Sequence, residues 1–266
     1  MLKHRNETPV IPDRCVVLGA HGFIARYVVS ALRDGGAPVL ALPSTDIDLC
    51  QRESVDQLKK ILRPNDSVVF VSALTPDKGR DIRTLMRNLS MAEHVCAAVS
   101  AVPCSHLVYV SSDAVYRDDL AFVRETSCCD PLSFHGVMHL ARERMLQKTA
   151  QDIGMPLAVL RSSLLYGAGD THNGYGPNRF LKTALDSRAI TLFGGGEETR
   201  DHVWVGDLAA LIKSCLTHRS DGTLNVATGQ SVSFYDVAQM VVTLVGNDVR
   251  EDFYPVLNQS NSCIVA

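Results

Sequence analysis

Residues 15–32 read Cys15-Val16-Val17-Leu18-Gly19-Ala20-His21-Gly22-Phe23-Ile24-Ala25-Arg26-Tyr27-Val28-Val29-Ser30-Ala31-Leu32. The first four are a short apolar run ending in glycine, and from Phe23 onward the apolar residues recur at helical spacing. The junction is therefore a tight strand-to-helix turn. Gly35-Gly36 ends the helix and Pro38–Leu42 reads as a second strand, which completes a βαβ unit. Parallel strands require such a crossover.

The alternation continues outward from this unit. Helices are expected around Glu53–Leu62, Thr84–Val99 and His135–Ile153, and strands at Ser67–Val71, His106–Ser111 and Leu157–Leu160. Short apolar strands alternating with helices are what a parallel sheet covered on both faces demands. The fold class is α/β: a Rossmann-type, doubly wound parallel sheet. Beyond Arg161 the chain turns glycine-rich, at Gly167, Gly169, Gly174, Gly176 and Gly194-Gly195-Gly196, around a helical segment at Asn178–Leu185. The sheet is expected to resume at His202–Val205, with Asp207 opening a helix and Thr223–Val226 forming a late strand. The expected division is a dinucleotide-binding domain over 13–165, its sheet completed by about 200–228, and a small substrate-binding cap from 166–199 and 229–266.

With 266 residues, 46% hydrophobic and 21% charged, the chain can bury a substantial core. A formal net charge of -3 gives no basic field to gather a phosphate backbone, so nucleic acid is not an expected partner. The eight cysteines include no CxxC pair and no cluster with histidine, so no metal, zinc included, and no disulfide framework is expected. No stretch reaches membrane-spanning length and residues 1–15 have no apolar signal-like run, so no membrane partner and a cytoplasmic location are expected.

The turn Gly19-Ala20-His21-Gly22-Phe23-Ile24 sits where small residues let the backbone approach a pyrophosphate and helix N–H groups face it. Its spacing is GxxGxxA rather than GxGxxG, and its place at the first strand of the array favours cofactor binding over a bare turn. After the second strand, Ser44 and the Asp46-Ile47-Asp48-Leu49 stretch come near the expected ribose site. An acidic residue there would select NAD, but Asp48 is equally a turn or cap residue, so the cofactor is NAD or NADP. Ser72-Ala73-Leu74 and Thr75, after the Ser67–Val71 strand, lie at the carboxyl edge of the sheet, where ligands of open sheets collect.

The ordered segments GAHGFIA, VYVSSDAVY and LFGGGEETRDHVWVGDLA, spread over residues 15–230, resemble the extended short-chain dehydrogenase/reductases, specifically the NAD-dependent epimerase/dehydratase family. The resemblance implies that Ser112, four residues before Tyr116, holds the reacting sugar oxygen, with Ser111 the neighbouring candidate and Asp113 beside it. It also implies a YxxxK pair on the next helix, a tyrosine proton shuttle and a lysine that binds the nicotinamide ribose. Pro131-Leu132-Ser133-Phe134-His135-Gly136-Val137-Met138-His139 matches that segment, but His135 stands for the tyrosine and His139 for the lysine. An unperturbed imidazole titrates near pH 6.5 and can exchange a proton at neutral pH, and two imidazoles one helical turn apart resist being charged together. His135 is the expected acid/base and His139 its partner or a ribose ligand. The bland alternative is a pair of histidines filling a cleft that does no redox chemistry.

The resemblance further places a nucleotide diphosphate against Asn173, Asn178 and Arg179 and against Arg200. Read alone, Asn173–Pro177 is a turn before a helix and Arg200-Asp201 a surface pair. Asn88 matches a structural asparagine, and the final Val256–Ala266 run lacks the usual arginine-containing cap segment. The expected activity is a nucleotide-sugar epimerase or dehydratase acting by transient hydride transfer, in a homodimer built on the Thr84–Val99 and His135–Ile153 helices. A keto-sugar reductase, suggested by Asp46–Leu49, and a non-catalytic cofactor-binding sensor or partner subunit are the alternatives.

Overall fold

The computed structural model describes residues 2–117, 120, 122–246 and 248–254, with the backbone of 264–265. Most of the carboxyl-terminal run read above, including Cys263, lies outside the described residues. In chain order the elements are β1 (Arg14–Leu18), α1 (Phe23–Asp34), β2 (Val39–Leu42), α2 (Ser54–Ile61), β3 (Asp66–Phe70), α3 (Ile82–Ala101) and β4 (His106–Ser112). A one-turn 3-10 segment Asp113–Val115 follows, then β5 (Phe122–Val123), α4 (Phe134–Ile153), β6 (Leu157–Ser162), β7 (Leu164–Tyr166), α5 (Pro177–Ser187) and β8 (Ala189–Phe193). The chain continues through β9 (Thr199–Trp204), α6 (Val205–Thr217), β10 (Gly222–Val226), β11 (Ser231–Ser233), α7 (Phe234–Val245), β12 (Arg250–Tyr254) and β13 (Ile264–Val265).

The main sheet has the order β2-β1-β3-β4-β6-β10, and every pairing in it is parallel. Alternate side chains enter two different cores. Val16, Leu18, Val68, Phe70, Leu107 and Tyr109 pack with Leu58 of α2, Ala92 and Val95 of α3 and Leu146 of α4. Cys15, Val17, Val69 and Val108 pack on the other side against Val28 and Leu32 of α1 and Leu208 and Ile212 of α6. Each fully buried aliphatic side chain contributes roughly 1.5–3 kcal/mol of transfer free energy, so both faces of each strand must be apolar. The chain passes from β1 to β2 and returns to β3 on the other side of β1, which opens a crevice at the carboxyl ends of β1 and β3.

The expectation that this sheet resumes at His202–Val205 is corrected. β9 joins β7 and β11 in a separate three-stranded sheet, and β10 alone takes the place beside β6. The reason lies in its alternation: Asp201 and Val203 are buried, whereas Arg200, His202 and Trp204 are not. A strand with one polar face cannot sit inside a sheet covered on both sides. A third core, formed by Phe180, Ala184, Ile190, Leu192, Phe234 and Val241, joins α5, β8 and α7, with the Tyr175 ring 4.5 Å from that of Phe234.

Candidate active site

Gly19 follows β1 at φ 91°, and an added Cβ would collide with Ser72 Oγ. The turn after β1 and the turn after β3 are thus in contact, and glycine alone permits that approach. Gly22 caps α1 from an extended backbone with no side-chain cap, so the first N–H groups of α1 are left for a ligand or solvent. Leu74, in the second turn, is fastened at both its N–H and its carbonyl by the Asn88 amide, at 2.8 and 3.0 Å.

These turns form one wall of a cleft of about 440 Å³. The cleft gathers Gly19, His21, Gly22, Phe23 and Ile24 from the first turn, Ser44, Asp48 and Leu49 from the β2–α2 connection, and Ser72, Ala73, Leu74 and Thr75 after β3. Ser112, His135 and His139 lie on its opposite wall. Asp48 also caps its own loop, its carboxylate accepting from Cys50 N at 3.0 Å and from the Gln51 amide at 3.1 Å.

The opposite wall is held by α4. Ser133 caps it, its hydroxyl accepting from Gly136 N at 3.1 Å. Gly136 lies so close to the 3-10 turn that a Cβ there would collide with the Ala114 carbonyl oxygen and come within 2.6 Å of Pro131 Cβ. This approach seats His135 and His139 beside the end of β4. Their rings meet edge to face, 4.6 Å between centroids. His139 is 6% exposed, and its Nδ1 lies 2.7 Å from the buried Tyr109 hydroxyl.

Burial, reinforced by the Arg142 cation, pushes the His135 pKa down to about 4. Burial, then His135 and Arg142, holds His139 well below the ordinary imidazole value. The expectation of an imidazole poised near neutral pH is corrected: both rings are neutral at pH 7, because solvent that would stabilise their charge is excluded.

At the end of β4 the two serines diverge. Ser111 donates to Glu143 Oε1 at 2.6 Å, and Glu143 is clasped by Arg161 at 2.9 and 2.7 Å. The Ser112 hydroxyl accepts from Ala114 N at 3.2 Å and donates to Asp113 at 3.1 Å.

Of the substrate-side residues, Thr75 and Ser112 line this cleft, whereas Asp113, Asn173, Asn178, Arg179 and Arg200 do not. Asn178 accepts from Gly167 N at 3.2 Å and donates to Asp170 at 2.8 Å, which ties down the glycine-rich loop. Arg200 pairs with Glu198 at 2.5 Å, and Asn173 is an exposed residue at φ 50°. Arg179 is half-buried at the start of α5, and neither it nor Asp113 lines the cleft. The sequence reading did not foresee Lys78 and His172, which do line it. His172 Nδ1 is 2.9 Å from Asp170, in the loop that faces the glycine turn. Their only sequence signal is position, in loops after a strand. Arg142 was also missed, although it follows His139 by three residues on the same helical face.

The sequence model of the NAD dependent epimerase/dehydratase family matches residues 15–227. The chain belongs to the NAD dependent epimerase/dehydratase family. An uncharacterized UDP-glucose epimerase of Bacillus subtilis (strain 168) is 25% identical over 168 residues, 62% of this chain and 53% of that protein, so the match spans about half its length. The dTDP-4-keto-6-deoxy-D-glucose reductase of Streptomyces niveus is 27% identical over 89% of this chain and 80% of its own length. The fold is that of the Thermus thermophilus UDP-glucose 4-epimerase solved with NAD, with a TM-score of 0.84 at 21% identity, covering 95% of this chain and 90% of that one.

Proposed function

We propose that this chain is an NAD-dependent nucleotide-sugar epimerase or dehydratase in which His135 does the proton transfer that the family assigns to tyrosine. The observation that carries the reading is the single cleft joining the Gly19–Ile24 turn to Ser112, His135 and His139. The turn fits a dinucleotide, since the space a Cβ would fill at Gly19 is where two loop backbones converge. Gly19, Gly22 and the α1 N–H groups would hold the pyrophosphate, and Ser44, Asp48 and Leu49 the adenosine end. When bound, the nicotinamide supplies a reversible acceptor for the hydride that leaves the sugar carbon. His135, neutral in the cleft, accepts the hydroxyl proton of the same carbon at a ring nitrogen and returns it. Ser112 holds the reacting oxygen through its hydroxyl, releasing its contact with Asp113. The departure from the family lies at the lysine position, where a neutral His139 offers a donor without a charge.

Asn178, Arg179 and Arg200 enter the proposal as ligands of the nucleotide diphosphate only if Arg200 leaves Glu198. The exposed apolar side chains Ile82 and Met86 on α3 and Leu132, Phe134 and Val137 at the start of α4 support a homodimer through these helices. Among the described residues no helix is long and apolar enough to cross a membrane. Free thiols at Cys15, Cys50, Cys96, Cys104 and Cys215 support residence in a reducing cytoplasm.

A second reading, NAD(P)H-dependent reduction of a keto-sugar, is supported by the Streptomyces niveus relative and by the cleft position of Asp48 and Leu49. Incubation of UDP-, GDP-, dTDP- and CDP-sugars with NAD or NADP, and of the corresponding keto-sugars with NADH or NADPH, followed by chromatography coupled to mass spectrometry, separates the readings. Loss of water identifies a dehydratase, an isomer of unchanged mass an epimerase, and a gain of two hydrogens with stoichiometric cofactor use a reductase. Cofactor binding with every sugar unchanged overturns the catalytic reading for this panel.

A further inference from the structure

Behind the histidine pair lies a buried cation. The Arg142 side chain is 0% exposed, and its Nη2 donates to the Ser72 carbonyl at 2.8 Å, in the turn that touches Gly19. Its guanidinium stacks 4.2 Å from the Phe70 ring centroid and 5.4 Å from that of Tyr109, and its Nη1 donates to Met138 Sδ at 3.6 Å. Among the described residues no carboxylate pairs with it, and its Nε has no partner. A full charge taken out of water without a counter-ion is costly, so packing alone does not account for an arginine here.

The donors and acceptors along this line have a fixed direction. Among the described residues His139 Nδ1 is the one hydrogen-bond partner of the buried Tyr109 hydroxyl, so a ring that donated there would leave the phenolic hydrogen buried without an acceptor. The phenolic hydrogen is then left for His139 Nδ1, 2.7 Å away. A neutral imidazole that accepts at Nδ1 carries its hydrogen on Nε2, and Nε2 is the nitrogen left to the cleft that His139 lines.

We propose that Tyr109 is a positioning residue that locks His139 as its Nε2–H tautomer, with the Arg142 cation packed behind the pair, so that the ring presents a single hydrogen-bond donor to the nicotinamide ribose. This rests on the reading of the cleft as a dinucleotide site. The donation that the family draws from a lysine ammonium comes from an imidazole N–H, and the positive charge has moved one layer deeper, to Arg142. The arrangement explains why the lysine position tolerates an uncharged residue while an unpaired arginine appears one turn further on the same face.

The test is nitrogen-15 NMR of the histidine rings in the free protein at pH 7, with the His139 signals identified by their absence in His139→Gln. The expected spectrum shows His139 with a pyrrole-like Nε2 and a pyridine-like Nδ1. A Nδ1–H tautomer overturns the proposal without any variant or cofactor. Tyr109→Phe is expected to give a mixture of tautomers and to weaken NAD binding about tenfold by calorimetry. Arg142→Met, which keeps an apolar stem in the same space, leaves the Tyr109 bond in place and is expected to keep the single tautomer, whereas an unchanged tautomer population in Tyr109→Phe overturns the lock. If the tautomer is lost while NAD affinity is unchanged, the donor role falls. If the wild-type protein binds neither NAD nor NADP, the dinucleotide reading fails and takes the ribose contact with it, while the ring spectrum still decides the lock.

Discussion

At the residue scale the site turns on a substitution that changes chemistry rather than shape. A tyrosine base needs a cation to bring its pKa down, whereas a buried imidazole needs none to be neutral at pH 7. With its pKa at about 4, His135 is in its base form across the whole neutral range. A rate that requires neutral His135 is therefore expected to be flat from about pH 9 down to about pH 5.5 and to fall only as pH approaches 4. An acid limb centred near pH 6.5 would show that substrate-free burial does not set the working state of the ring. Replacing His135 by Phe keeps an aromatic ring and removes both nitrogens. It is expected to lower kcat by at least about 100-fold while the NAD dissociation constant changes by less than about threefold. Turnover retained in this variant would remove His135 from the mechanism. The pair was legible in the sequence because its neighbours Pro131, Ser133, Gly136 and Glu143 kept the family's spacing. The depth of its burial was not, since it depends on how closely α4 meets a turn two elements away.

At the element scale that closeness is set by Gly136. In an isolated helix, Ala in place of Gly would stabilise by about 1 kcal/mol. Here the new methyl group would occupy the position of the Ala114 carbonyl and press on Pro131. Gly136→Ala is expected to reverse the propensity gain and destabilise by about 1–3 kcal/mol in denaturant unfolding, the usual cost of overpacking, with loss of turnover as His135 is displaced within the cleft. Gly154→Ala, at the other end of α4, is a control: it has open space around it and a φ of 68°, so it should cost about 1 kcal/mol and leave activity intact. Equal effects at the two ends would show that Gly136 matters only through backbone entropy. The main-sheet strands from β1 to β6 and their helices were legible because each strand is apolar on both faces and each helix repeats at its own period, whereas the two-residue β5 was not read. β9 was misplaced because a four-residue apolar run does not announce which sheet it joins, and the buried Asp201 carboxylate that fixes it accepts from the N–H groups of Thr228 and Gly229, distant in sequence. The cap residues Asn178 and Arg200 were named by resemblance alone, and their partners Asp170 and Glu198 carried no spacing signal.

At the scale of the whole molecule, the parallel sheet places several histidines in apolar surroundings, and their neutrality couples stability to pH. His106 opens β4, fully buried, with Nε2 2.7 Å from the Ser220 carbonyl and, among the described residues, no partner for Nδ1. Burial pushes its pKa down to about 4. In the unfolded chain the same ring takes up a proton below about pH 6.5. Between these values the unfolded state binds more protons than the native one, so stability is complete above pH 6.5 and is lost as pH falls toward 4. For His106 alone the loss is about 2 kcal/mol by pH 5 and about 3 kcal/mol below pH 4. His135, His139 and His202 are shifted in the same direction and add to the slope. His106→Gln keeps an N–H that can reach the Ser220 carbonyl and removes the titration. Its Tm is expected to be lower than wild type at pH 7.5, from imperfect packing, but its further drop on going to pH 5 should be smaller than wild type's by roughly 4–8 °C. Scanning calorimetry at the two pH values measures both drops on the same pair of proteins. Parallel losses in the two would mean that His106 is not a source of the acid sensitivity, and that the cleft histidines, together with the carboxylates, carry it instead.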